Sequence, residues 1–177
     1  MFSVIFPGQG SQLVGMGKDF FEKYDLVKRL FKEADEVLDL NLSKIILEGP
    51  KEELDFTCNT QPAIFLISFS IFKVITQEFN INLHQAKYFA GHSLGEYSAL
   101  SSAGYLDFAK TIKLLRIRGD AMQNAVPKGE GGMVAVLGTS IENIEKILHD
   151  NKKNFFAEIA NDNSNGQIVI SGKNTDL

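Results

Sequence analysis

Gly91-His92-Ser93-Leu94-Gly95 stands between a short apolar run, Lys87-Tyr88-Phe89-Ala90, and a segment from Glu96 to Ser102 that reads as helix. The pattern G-x-S-x-G between strand and helix admits few backbones. The serine must occupy a sharp, strained turn, and a Cβ at either glycine would collide with the neighbouring chain. Such a turn projects the Ser93 hydroxyl at the head of a helix, where backbone N–H groups stabilise developing negative charge. The placement favours a nucleophilic serine over an incidental one, and the strand-turn-helix order makes the expected fold α/β.

The run Ser3 to Phe6 ends in Gly8-Gln9-Gly10 and reads as a first strand feeding a tight loop. Glycine at 8 and 10 with leucine at 13 excludes a dinucleotide fingerprint. Gln9 at a strand end can instead aim its backbone N–H at a neighbouring strand-end site. That makes it half of a candidate oxyanion hole, with the N–H of Leu94 as the other half.

Apolar residues recur at helical spacing from Asp19 to Leu38, with a possible break into two pieces. A loop region with Gly49-Pro50 follows, and Pro62 to Phe79 reads as a helix buried on most sides. Ser68, Ser70, Lys73, Gln77 and Glu78 interrupt it short of the roughly 20 apolar residues that span a bilayer. Asp107 is a good cap for a further helix, which Pro127-Lys128-Gly129 breaks after Val126. Beyond Gly132 the order is strand (Met133 to Leu137), helix (capped by Ser140), strand (Phe155 to Ala160) and strand (Gln167 to Ser171). That order begins the ferredoxin-like pattern β-α-β-β-α-β, and Leu177 falls where its second helix is expected. Residues 1–127 are thus expected to form one part of the fold, and 128–177 an incomplete ferredoxin-like small subdomain.

Eighteen Lys and Arg against 22 Asp and Glu, with no basic block, argue against a nucleic-acid partner. A single cysteine, Cys58, and no Cys/His cluster at zinc spacing fit a reducing compartment and no structural metal. The N-terminus lacks the cationic lead of a secretory signal, so the expected location is the cytoplasm, without a membrane partner.

A serine nucleophile needs a base, and the sequence offers only His84, His92 and His149. His92 adjoins Ser93 within the turn and reads as a supporting residue behind the serine. His84 precedes the strand at its far end, and His149 closes a helix of the small subdomain, so the expected base is missing from the sequence. The chain has 15 lysines and three arginines, Arg29, Arg116 and Arg118. On a helical wheel Phe108, Ile112, Leu115, Gly119 and Met122 mark the apolar face, and Arg118 falls about 60° from its centre against about 100° for Arg116. Position alone favours a structural ion pair or a snorkelling side chain for Arg118, with a two-point grip on a carboxylate as the alternative.

F-P-G-Q-G-S-Q at 6–12, T-Q-P-A at 60–63, G-H-S-L-G-E-Y-S-A-L at 91–100, R-G-x-x-M-Q at 118–123 and N-S-x-G-Q-x-V-I-S-G at 163–172 occur in an order that closely resembles the malonyl-CoA:acyl carrier protein transacylase family. The resemblance runs over essentially the whole chain. It implies an α/β-hydrolase-like core with its nucleophile elbow, beside the ferredoxin-like subdomain, both incomplete here. It further implies that Ser93 is acylated, that the Gln9 and Leu94 amides form the oxyanion hole, and that Arg118 pairs with the malonyl carboxylate. Leu94 after the serine resembles the malonyl rather than the methylmalonyl pattern, whereas Asn165 stands where the family usually has proline.

The implied reaction moves a malonyl group from coenzyme A to the phosphopantetheine thiol of acyl carrier protein for fatty acid synthesis, with malonyl-CoA as substrate and no cofactor. A serine esterase or thioesterase would use the same turn with water as acceptor. Without the expected histidine base the chain by itself is expected to be poorly active or inactive, and a non-catalytic fragment that assembles with its missing half is the third reading. The unpaired sheet edge expected in the small subdomain makes self-association an expectation for the chain alone.

Overall fold

The computed structural model describes residues 1–126 and 129–177. Pro127 and Lys128, where the sequence places both a helix break and the boundary at 127/128, lie outside the described residues. The fold is α/β, in two compact units, Met1–Gln123 and Asn124–Leu177.

In the first unit β1 (Ser3–Phe6) is followed by five helices: α1 (Lys18–Lys23), α2 (Asp25–Leu38), α3 (Leu42–Glu48), α4 (Lys51–Asp55) and α5 (Thr57–Gln77). The chain returns through β2 (Tyr88–Gly91), α6 (Leu94–Ser102) and α7 (Phe108–Asn124). β1 and β2 pair in parallel, Ser3 with Tyr88 through Phe6 with Gly91, so both strands end at the same edge. Parallel pairing requires a crossover, and the α1–α5 segment supplies it.

The core of this unit forms around α5. Helix α2 presents Val27, Leu30, Phe31 and Ala34 at helical spacing, all buried. Phe65 and Phe69 of α5 pack with Phe108 of α7 at ring separations of 5.4 and 5.1 Å. Burying each such side chain contributes about 1.5–3 kcal/mol. Helix α5 is 21 residues long and apolar enough by length and composition to cross a membrane, yet 67% of that stretch is buried inside the protein, as in a core helix.

Several boundaries differ from the sequence reading. The Asp19–Leu38 stretch is in two pieces, as the sequence reading allows, with the extended backbone of Tyr24 separating α1 from α2. The region around Gly49-Pro50 is largely helical, because the Asn41 side chain accepts from the Lys44 amide and caps α3, and α4 follows Pro50. Helix α5 starts five residues before Pro62. The proline ring removes the N–H that would bond the Cys58 carbonyl, and that carbonyl accepts from Arg116 Nη1 at 3.4 Å instead. Met122, placed by periodicity on the apolar face of α7, is 45% exposed, while Phe108, Thr111, Ile112, Leu115 and Gly119 are the buried set. Asp107 caps α7 as expected, accepting from the Lys110 amide at 3.0 Å.

The second unit contains β3 (Gly131–Leu137), α8 (Ile141–Asn151), β4 (Ala157–Ser164) and β5 (Gln167–Lys173). β5 lies between β3 and β4 and is antiparallel to both. The β4 strand begins later and ends later than the sequence reading has it, leaving Asn165-Gly166 as a two-residue turn with Gly166 at φ 87°. Ser140 caps α8 by accepting from the Asn143 amide.

Candidate active site

Ser93 joins β2 to α6 with φ 56° and ψ −116°, a region that L-residues rarely occupy. Three glycines make the turn possible. A Cβ on Gly91 would lie 2.0 Å from the Gly95 carbonyl carbon, and one on Gly95 would lie 2.6 Å from the Phe6 carbonyl oxygen. A Cβ on Gly8 would meet the His92 ring at 2.7 Å, so the loop after β1 and the turn after β2 are packed directly together. The His92 amide bonds the Phe6 carbonyl at 3.3 Å, which ties the turn to the end of β1.

The loop after β1 is held at both ends. Ser11 Oγ donates to the Gly8 carbonyl at 2.9 Å, and Gln12 Oε1 accepts from the Gly10 amide at 2.8 Å. Gln12 Nε2 in turn donates to Asp55 Oδ1 at 3.0 Å. The Gln12 hydrogen bond, followed by the ion pair with Lys51, holds the Asp55 carboxyl below the ordinary aspartate range.

A line of directed hydrogen bonds crosses from α7 to this loop. Arg118 Nη2 donates to Ser93 Oγ at 3.1 Å and Nη1 donates to Gln61 Oε1 at 2.5 Å. Gln61 Nε2 donates to Thr57 Oγ1 at 2.9 Å, and the Thr57 hydroxyl donates to Gln9 Oε1 at 2.8 Å. Gln61 is fully buried, and its amide also donates to Met122 Sδ at 3.3 Å. The guanidinium of Arg118 lies 6.0 Å from the Tyr97 ring centre. Charged donors make the stronger hydrogen bonds, so the arginine anchors the line.

The structure thus brings Ser93, Arg118 and Gln9 into one network, and Leu94, fully buried, opens α6 beside the serine. His92 turns its ring over Gly8. His84 packs edge-on against Phe72 at 5.4 Å, at the start of β2 rather than the end that carries Ser93. His149 belongs to the second unit, where it faces Asp150 at 3.4 Å.

Thr57, Gln61, Asn59 and Gln12 carry the geometry without having been assigned roles from the sequence. Two of the motifs that carry the resemblance, T-Q-P-A at 60–63 and F-P-G-Q-G-S-Q at 6–12, contain Gln61 and Gln12. Nothing local marks Thr57 for its bond to Gln9 or Asn59 for its bond to Arg116, both partners being far along the chain.

The model of the family "Acyl transferase domain" matches residues 3–177. The chain is 45% identical over 169 residues to the malonyl CoA-acyl carrier protein transacylase of Bacillus subtilis (strain 168), covering 95% of this chain and 52% of that relative. Its fold matches the crystal structure of acyl-carrier-protein-S-malonyltransferase from Bartonella henselae with a TM-score of 0.91 at 44% identity, over 99% of this chain and 56% of that one. It also matches a malonyl-transacylase solved in complex with a type II PKS acyl-carrier protein, with a TM-score of 0.87 at 39% identity, over 99% of this chain and 56% of that one. The chain spans about half the length of the curated relatives it matches. With a family match over nearly its whole length, the chain belongs to the acyl transferase domain family.

Proposed function

We propose that the chain carries the acylation site of a malonyl transferase, which moves a malonyl group from coenzyme A to the phosphopantetheine thiol of acyl carrier protein for fatty acid synthesis. The observation that carries this reading is the Arg118 guanidinium on Ser93 Oγ, backed by Gln61. A fixed cation beside a nucleophile favours an acyl group that itself ends in a carboxylate. An esterase acting on neutral acyl groups has no use for it. The match to a malonyl-transacylase solved with an acyl-carrier protein supports the same partner here.

In this reading Ser93 Oγ attacks the thioester carbonyl carbon, and the backbone N–H groups of Gln9 and Leu94 receive the oxyanion. The C–S bond breaks, and the departing thiolate takes up the proton released by the Ser93 hydroxyl. The malonyl ester on Ser93 then waits, with its carboxylate on Arg118, until the carrier thiol attacks. The C–O bond breaks and the hydroxyl is restored. His92 serves as a brace between the serine turn and Gly8. A serine ester and two thioesters interconvert without redox change, so the reading calls for no cofactor.

We assign residues 1–127 to an α/β-hydrolase-like core, on the strength of the parallel β1/β2 pair ending in the serine turn. Residues 128–177 are assigned to a ferredoxin-like subdomain, supported by the β3-β5-β4 order. The cytoplasm is the proposed location, with neither nucleic acid nor membrane as partner. Self-association of this chain is expected through the exposed apolar residues Met133 and Leu137 of β3, an edge strand.

Intact-mass spectrometry after incubation with malonyl-CoA tests the reading. The expected result is a malonyl adduct on Ser93 that acyl carrier protein removes, formed slowly because none of His84, His92 and His149 is placed to serve as its base. Free malonate without an adduct would support hydrolysis instead, and no reaction at all would reject the assignment for this chain.

A further inference from the structure

Two of the three arginines lie on α7, and both reach the first two turns of α5. The helices meet there without a side chain between them, since a Cβ on Gly119 would lie 2.5 Å from Cys58 Cα and 2.7 Å from the Thr57 carbonyl oxygen. Arg118 passes on one side of this contact to Gln61 and Ser93. Arg116 passes on the other, where Nη1 donates to Asn59 Oδ1 at 2.5 Å and to the Cys58 carbonyl at 3.4 Å. Its Nε donates to Asp120 Oδ2 at 3.2 Å, which orients the fork from within α7.

The Cys58 carbonyl is the one that Pro62 leaves without a helical partner. An unbonded carbonyl in the first turn would let Thr57 through Gln61 fray, and Thr57 and Gln61 are the links between Arg118 and Gln9. Arg116 is 31% exposed and touches neither Ser93 nor Gln61 in the hydrogen-bond network, and its contacts outside α7 are with Cys58 and Asn59 of α5.

We propose that Arg116 is a positioning residue: by holding the Cys58 carbonyl and the Asn59 side chain it fixes the first turns of α5, and thereby places Gln61 and the Arg118 guanidinium beside Ser93. The consequence for selectivity rests on the malonyl reading above; the placement of Arg118 does not. Lysine cannot substitute, because one ammonium cannot hold the carbonyl, the amide oxygen and Asp120 as a planar fork does.

The test compares wild type, Arg116→Gln and Arg116→Lys by adduct formation from malonyl-CoA and acetyl-CoA, by thermal unfolding, and by NMR of the arginine Nε–H groups. With only three arginines the Arg118 signal is readily assigned. Expected for both variants are a folded protein, a shifted Arg118 Nε–H signal, and malonyl adduct formation slowed about tenfold with acetyl adduct formation nearly unchanged. Equal slowing for both donors, full rescue by lysine, or an unmoved Arg118 signal overturns the proposal. Should Arg116→Gln fail to fold, Arg116→Lys carries the same comparison. If wild type itself forms no malonyl adduct, the functional reading fails separately and the Arg118 signal alone decides whether Arg116 positions it.

Discussion

Gly95, in the first turn of α6, lies against the carbonyl oxygen of Phe6, the last residue of β1, at a separation that a methyl group would reduce to 2.6 Å. The obstructing atoms are backbone, and the Pro7 carbonyl stands at 2.7 Å, so no side-chain rotation relieves the clash. Gly95→Ala is expected to destabilise the chain by about 3 kcal/mol, the upper end of overpacking costs. Urea denaturation measures this, and an unchanged midpoint would show that the β1 end yields.

Ser93 holds a positive φ that glycine adopts freely and other residues only at a cost. Ser93→Gly is expected to raise stability by about 1 kcal/mol while eliminating the malonyl adduct. Ser93→Ala keeps the strain and the fold and is expected to eliminate the adduct. An adduct surviving in either variant would place the acyl group on another residue.

Gln61 is buried and accepts from Arg118. Gln61→Leu replaces that acceptor with an apolar side chain, leaving one guanidinium nitrogen without its partner. A loss of about 1–3 kcal/mol in stability is expected, together with slower malonyl adduct formation. Arg118→Ala should slow malonyl transfer far more than acetyl transfer, and equal losses would mark Arg118 as purely structural.

Asp55 has its carboxyl pKa lowered first by the Gln12 hydrogen bond and then by Lys51. A carboxyl depressed in the folded state stabilises fully above its unfolded pKa and loses that contribution as pH falls through the folded value. Wild type should therefore lose more stability on acidification below the ordinary aspartate range than Asp55→Asn does. Thermal midpoints measured across that window check the sign, and parallel curves would mean that the contact contributes nothing in solution.

The serine turn was legible in the sequence because its requirements are local: glycine at 91 and 95, an apolar run before and a helix after. The caps at Asp107 and Ser140 are legible for the same reason. The start of α5 was hidden by Pro62, whose cost is met by an arginine more than fifty residues away in sequence. The wheel placed Arg118 nearer the interior than Arg116, but no periodicity tells which carbonyl or amide a guanidinium will meet. Helices α3 and α4 are short, and Gly49-Pro50 between them reads as loop until their caps are seen.

The β1/β2 pair joins Ser3 to Tyr88, so the two strands meet only after the whole helical segment between them has been gathered in. Closing so long a loop costs chain entropy that the packing of α2, α3 and α5 must first offset. The contacts of Gly8 with His92 and of Gly95 with Phe6 do not exist before that closure. The serine turn is thereby complete only once that loop is closed, and a chain in which the turn is built is one whose strands β1 and β2 are already in register.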